Sequence, residues 1–292
     1  AVASLLGLTA AQISSVWSYC AQQASGSWQW LLDVDHIEKA FVFAGLGARN
    51  GLQAALLVEA GFTGVPDSLD GLGGWLDSST FNGPKSDLDR QYWIEELGRR
   101  FELPLVGFKR FPVGGPCQPV IEGLLALIQQ VDRKEVIRVR IDMPDRPDAF
   151  ATASMPALNL PYLSAIILLD GELDFVAAQS RERMATDAAV HHLMSQVGVT
   201  YDPSQDRSPR VESARVTVWL RDGESKSVFV EHVPGFPAHP MSHDQVVNKA
   251  RELLAPRLGE RGAGKVIALV ESIEALPSVV PLIDAIAVDD GT

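Results

Sequence analysis

The hydrophobic and polar positions of this chain follow two rhythms, and the change from one to the other divides it. Between Thr9 and about Ser25 the apolar residues recur at helical spacing, with Thr9 placed as N-cap and Gln12, three residues on, as its capping-box partner. A longer helix is predicted from about His36 to Ala60, ended by Gly61 in the position of a C-cap glycine. Its apolar residues run most of the way round. Small side chains at Ala44, Gly45, Gly47, Ala48, Gly51, Ala54 and Ala55 would let other helices come close, which marks it as the centre of a helical domain. Residues 67–77 and 87–97 read as two shorter helices.

The rhythm changes near Phe101. Residues 103–108 read as a strand, 111–116 as a Gly/Pro-rich turn, 119–131 as a helix and 136–141 as an alternating strand. The stretch 158–169 is apolar enough for a buried helix, and Thr186 is placed to N-cap another that runs through Gln196. Residues 216–220 and 227–233 alternate on either side of Arg221-Asp222-Gly223, the clearest hairpin signal in the chain. Residues 234–241, rich in proline, read as a linker, after which Ser242 caps a helix to about Leu258 and two short helices follow. Helices and strands interleave without a βαβ rhythm, so the expected class is α+β rather than a doubly wound sheet. The expected organisation is a helical domain over 1–103, a smaller α+β domain inserted at 104–234, and helices over 235–292 that return to the helical domain.

Composition narrows the function. With 292 residues, 46% of them hydrophobic, the chain can form one large or two ordinary cores. A net charge of −12 works against a broad nucleic-acid or acidic-membrane surface, since either would need a basic face, so neither partner is expected. Cys20 and Cys117 are far apart and in no metal-ligand spacing, which points to a reducing, cytoplasmic setting rather than a disulfide framework or a cysteine zinc site. No apolar run approaches the about 20 residues of a membrane helix. Residues 1–8 lack the basic leader and cleavage pattern of a signal peptide. The chain opens on Ala1 and runs into what reads as the end of a helix, so an upstream portion is expected.

Several motifs carry little chemistry. Gly259-Glu260-Arg261-Gly262-Ala263-Gly264-Lys265 has phosphate-loop spacing, but Val266 stands where the magnesium-binding hydroxyl belongs and the preceding segment is helical, so a turn between helices is expected. His191 and His192, adjacent on a predicted helix, point about 100° apart and form a poor chelate.

Lys109 stands apart. It lies in Phe108-Lys109-Arg110-Phe111-Pro112, between an apolar segment and a Gly/Pro turn. It reads either as a surface lysine at a strand end or as an ammonium aimed at a substrate carboxylate. The second reading has a chemical basis. Removing a proton α to a carboxylate builds a second negative charge there, and a preorganised cation offsets much of the cost. Lys39, in Asp35-His36-Ile37-Glu38-Lys39, opens the central helix, where charged residues are commonly solvated and Asp35 can serve as N-cap. Tyr162, in Asn159-Leu160-Pro161-Tyr162, precedes the buried helix and reads as a core residue with one hydrogen bond or as a proton donor.

Taken together, several patterns resemble the MmgE/PrpD family. They are Gly51 through Ala54-Ala55-Leu56 to Gly61-Phe62-Thr63-Gly64; Phe108-Lys109-Arg110-Phe111-Pro112 followed by Pro119; Leu160-Pro161-Tyr162 with Leu168-Leu169-Asp170-Gly171; Val216-Thr217-Val218 with Leu220 and Asp222-Gly223; and His239-Pro240-Met241-Ser242. Their joint order, through nearly the whole chain, is what carries the likeness. The resemblance implies a helical domain with the α+β insertion as a lid, working without metal or cofactor, on small polycarboxylates such as methylcitrate- or aconitate-like acids. It implies a lyase or isomerase, dehydratase-like in the first instance. By motif, Lys109 would be a carboxylate clamp, Tyr162 a proton donor or relay, and Lys39 a second clamp.

Two positions depart from the family's pattern. The stretch Lys39-Ala40-Phe41-Val42-Phe43-Ala44-Gly45 has no histidine and one residue more before the glycine, and Gln118 stands where a histidine often precedes Pro119. Cys117 beside it reads as a small buried hydrophobe. The family's main acid/base residues would lie upstream of Ala1, so the expected assembly is a homodimer, or a hetero-oligomer with a chain that carries the missing N-terminal helical part. The alternative is a non-catalytic binding or scaffolding subunit on the same fold.

Overall fold

The computed structural model describes residues 1–24, 40–71, 73–77, 90–207 and 212–287. It is a mixed α+β protein whose chain divides into two compact units, Ala1–Phe101 and Glu102–Thr292.

The first unit is helical where described. After a single turn, α1 (Val2–Leu5), comes α2 (Ala10–Gln23). The Thr9 capping box forms as expected: the Gln12 N–H donates to Thr9 Oγ1 and the Thr9 N–H to Gln12 Oε1. The long helix α3 spans Ala40–Glu59, and the predicted start at 36–39 lies outside the described residues. Gly61, at φ +97°, ends α3 in a Schellman motif: the Phe62 N–H donates to the Leu57 carbonyl and the Gly61 N–H to that of Val58. The chain then doubles back over α2, where the Val65 N–H donates to Ser18 Oγ and Tyr19 Oη to the Thr63 carbonyl. A Cβ at Gly64 would lie 2.7 Å from Ser18 Cβ, which is why the return needs a glycine.

Two expectations for this unit change, and a third is met in part. Of the small residues on α3, Ala54 and Ala55 are buried, but a Cβ at Gly45, Gly47 or Gly51 would meet no heavy atom of the described residues within 4 Å. The described residues of 67–71 and 73–77 form a looped turn that ends in a 3-10 turn (Trp75–Asp77) rather than an α-helix. There the Gly71 N–H bonds to Asp67, Gly73 takes φ +72°, and the N–H groups of Trp75 and Leu76 reach back to Ser68 and Leu69. Three glycines in four positions favour that compact return over a helix. Of 87–97, only α4 (Arg90–Ile94) is helical among the described residues, and Glu96 and Gly98 at positive φ stop it.

The second unit is built on a four-stranded sheet in the order β2-β1-β3-β4. The strands are β1 (Val136–Met143), β2 (Val197–Tyr201), β3 (Ala214–Leu220) and β4 (Ser225–Val230). β2 runs parallel to β1, and the other pairings are antiparallel. Two helices cover one face: α5 (Gln118–Ile128) lies against β3 and β4, and α7 (Leu160–Asp170) against α5 and β2. At Gly123 the approach of α5 is so close that a Cβ would lie 3.1 Å from Val216 and 3.2 Å from Val228. Every residue of α7 from Leu160 to Leu168 is buried. Burying each such leucine or isoleucine is worth about 1.5–3 kcal/mol, so this helix is the centre of the core. Asn159 caps its start and Gly171, at φ +84°, its end. The opposite face of the sheet is polar, with Arg138 stacked on Trp219 and Arg215 on Phe229.

The crossover from β1 to β2 contains α6 (Asp148–Ala151), α7, α8 (Phe175–Gln179), α9 (Arg181–Thr186) and α10 (Ala188–Met194). Asp187, not Thr186, caps α10: its carboxylate accepts from the Ala189 and Val190 N–H groups, while the Thr186 hydroxyl closes α9 on the Glu182 carbonyl. The hairpin at 221–223 forms as predicted, with Gly223 at φ +92°. Residues 103–108 are not a strand: Pro104 sits in a 3-10 turn (Leu103–Leu105), and the chain beyond it pairs at one point only. Beyond Ser242 and its capping box, α11 (His243–Glu271) continues past the predicted end, broken at Gly259 (φ 68°, ψ 167°), and α12 (Val280–Ile286) packs on it. The phosphate-loop-like segment therefore lies at a helix kink. Among the described residues, no helix is long and apolar enough to cross a membrane.

Candidate functional site

Lys109 is positioned by two clasps on its own segment. The first is residues 234–241, expected as a linker and found as a tight turn. The Gly235 N–H donates to the His239 carbonyl and the His239 N–H to that of Phe236, both at 2.8 Å. The Gly235 carbonyl then accepts the Phe108 N–H at 2.6 Å. Gly235 is buried at φ +96°, and a Cβ there would fall 2.0 Å from the Phe108 oxygen, so only glycine fits. Gly107 faces the Phe236 ring, 3.0 Å from where its own Cβ would be.

The second clasp is Gln118, in the first turn of α5. Its side chain is fully buried and fully used: Nε2 donates to the carbonyls of Phe111 (2.9 Å) and Val113 (3.2 Å), and Oε1 accepts from the Phe111 N–H (3.0 Å). A buried amide with both N–H groups and its oxygen engaged fixes the loop that follows Lys109. Arg110 is drawn to α5 by Glu122, at 3.0 Å. Lys109 itself is exposed, and its ammonium makes no hydrogen bond or ion pair with a described residue.

A second lysine meets this segment. Lys249, half-buried in the second turn of α11, donates from Nζ to the Lys109 carbonyl. Burial holds its pKa below the ordinary lysine value, and the Lys109 charge lowers it further. On the other side lies Cys117, completely buried. Desolvation pushes its thiol far above the normal range, with the Glu212 carboxylate raising it further and the Lys109 ammonium opposing. Cys117 is thus no nucleophile, and both Lys109 and Glu212 lie within electrostatic reach of it.

Tyr162 is elsewhere in the core. It is 0% exposed, its N–H is capped by Asn159 Oδ1 at 2.9 Å, and its hydroxyl donates to the Ala177 carbonyl at 2.6 Å. Burial raises its pKa, against the pull of the Arg183 guanidinium. Arg183 forks Asp170 at 2.5 and 2.8 Å. Lys39 lies outside the described residues. His191 and His192 turn to separate partners, Met184 and Gln196, and among the described residues no group of three or more His, Cys, Asp and Glu could hold a metal. Among the described residues, one surface hollow lies between α2 and residues 66–70 and another at the Gly259 kink, and Lys109 and Tyr162 line neither.

Lys249, Gly235 and Glu212 were not singled out from the sequence. Gly235 did have a signal, since it precedes the His239-Pro240-Met241-Ser242 motif in one block. Lys249 had none, because its partner lies 140 residues away.

This arrangement, a Gly/Pro loop bearing an unpaired lysine and held by a glycine turn at the head of a long helix, sits among the motifs of one family throughout. The chain belongs to the MmgE/PrpD family: the family's N-terminal domain matches residues 1–88 and its C-terminal domain residues 111–275. It is also similar to the cis-aconitate decarboxylase-like protein oryM of Aspergillus oryzae (strain ATCC 42149 / RIB 40), 27% identical over 312 residues. That match covers 98% of this chain, which spans 62% of the length of the relative.

Proposed function

We propose that this chain contributes to a lyase that acts on a small polycarboxylate, with Lys109 as the cation that meets a substrate carboxylate. Family membership and the likeness to a cis-aconitate decarboxylase-like protein support the lyase class at family level. One observation carries the role of Lys109: in an acidic protein, its ammonium is left without a counter-ion among the described residues while its main chain is fixed on both sides. The fixed main chain holds the root of the side chain, and the ammonium it carries is available for charge that develops on a carboxylate during proton or carbon dioxide loss. Lys39 is proposed as the second clamp and residues 104–234 as a lid. The sealed hydroxyl of Tyr162, given to a main-chain carbonyl, supports a role in setting the α7–α8 packing more than one in proton transfer.

That same feature favours a second reading. With Tyr162 engaged in the core, the carboxylate that shares the Cys117 neighbourhood with Lys109 is Glu212, and a binding subunit would need no more than the cation. Proton NMR of the purified chain with cis-aconitate, citrate and 2-methylcitrate separates the two. A new product that forms with wild type and not with Lys109→Met supports the lyase. Saturable binding of these acids without turnover supports the binding subunit, and the absence of both defeats the assignment of Lys109.

A further inference from the structure

Lys249 reaches the site from a different part of the chain than any motif residue, and its geometry gives it more than a surface role. The Ser242 capping box fixes the first turn of α11, and the turn just before it clasps Phe108. Lys249 follows within two turns and bonds to the Lys109 carbonyl, so its ammonium sits at the root of the Lys109 side chain. Neither ammonium forms an ion pair with a described residue. The Lys249 charge is partly withdrawn from water and lies within electrostatic reach of the Lys109 charge, which raises the free energy of the unliganded protein, and an anion relieves it. A single carboxylate neutralises one of them, and a second carboxylate on the same ligand neutralises the other. The apolar cover is local: Met241 Cε lies 3.3 Å from the Cβ position of Gly235, beside the Phe108 carbonyl.

We propose that Lys249 is a second cation of the Lys109 site and that the pair selects ligands with at least two carboxylates. This rests on the carboxylate-binding reading of Lys109 and adds to it a residue, a supporting helix and a selectivity.

The test uses calorimetric binding of tricarballylate, a tricarboxylate with neither double bond nor hydroxyl to react, beside butyrate as the single-carboxylate probe. Lys249→Met is expected to weaken tricarballylate binding by about tenfold to a hundredfold and to change butyrate binding by less than about threefold, as loss of one charge-assisted contact predicts. Lys249→Arg is expected to keep most of the affinity for tricarballylate. Melting curves accompany each variant, and Lys249→Gln replaces Lys249→Met if the latter fails to fold. Equal weakening of both acids would show that Lys249 only supports the fold. Full tricarballylate affinity in Lys249→Met, with loss in Lys109→Met, would overturn the role of Lys249 and leave that of Lys109 standing. No binding by wild type would overturn both.

Discussion

The Phe108 N–H and the Gly235 carbonyl are joined at 2.6 Å, and this one bond ties the lysine-bearing segment to the turn at the head of the C-terminal helix. Gly235 allows it by having no side chain where Phe108's oxygen lies. Gly235→Ala is therefore expected to combine left-handed strain with a steric clash and to destabilise the protein by about 2 kcal/mol or more. Urea unfolding measures this. A midpoint unchanged from wild type would show that the turn yields without cost.

Gln118→Leu keeps the volume and removes three hydrogen bonds at once. The Phe111 N–H and the Val113 carbonyl would lose their partner, and the Phe111 carbonyl would keep only the Val113 N–H, at a cost of about 2–5 kcal/mol in total. Thermal unfolding should register the loss, and hydrogen exchange should show the Phe111 amide losing protection. Retained protection there would mean that another group holds the loop.

The two cysteines should separate by accessibility. Cys117 is sealed and its thiol pushed up by burial, whereas Cys20 is only partly covered and its thiol raised less by the same cause. A thiol reagent at pH 8 is expected to modify Cys20 in the native protein and Cys117 only after denaturation, as mass spectrometry of the labelled peptides would show. Native labelling of Cys117 would contradict its placement in the core.

Lys249 should titrate below the ordinary lysine value, because burial and Lys109 both disfavour its charge. Its folded pKa lies under the unfolded value, so the native state sheds this proton first. Its unfavourable contribution to stability is then full at neutral pH and fades as pH rises through the folded pKa toward the ordinary lysine value. NMR of the Lys249 side chain should show the low midpoint, and Lys109→Met should move it upward. No movement would place the two ammoniums too far apart to interact.

The sequence was informative where a local rule governs. The capping box at Thr9, the Ser242 cap, the Gly61 helix end, the hairpin at Gly223 and the buried helix α7 all follow from residues within a few positions of one another. β2 was not legible, because Val197–Tyr201 is a short edge strand that contains Gly198 and is defined by its pairing with β1. Residues 103–108 carried a strand's composition, but Pro104 breaks the ladder, and among the described residues distant in sequence their backbone partner is Gly235. The same limit applies to the site. Lys109 could be found from its motif, whereas Lys249 becomes part of the site only through a contact that the fold creates.

The most direct test of the central claim is the ratio of kcat/KM for Lys109→Met to that of wild type, measured on whichever of cis-aconitate, citrate or 2-methylcitrate the protein turns over. Loss of the charge that stabilises a developing anion should lower the ratio by about a hundredfold or more, with melting behaviour unchanged and partial recovery in Lys109→Arg. A ratio near one would show that the reacting acid never meets this ammonium.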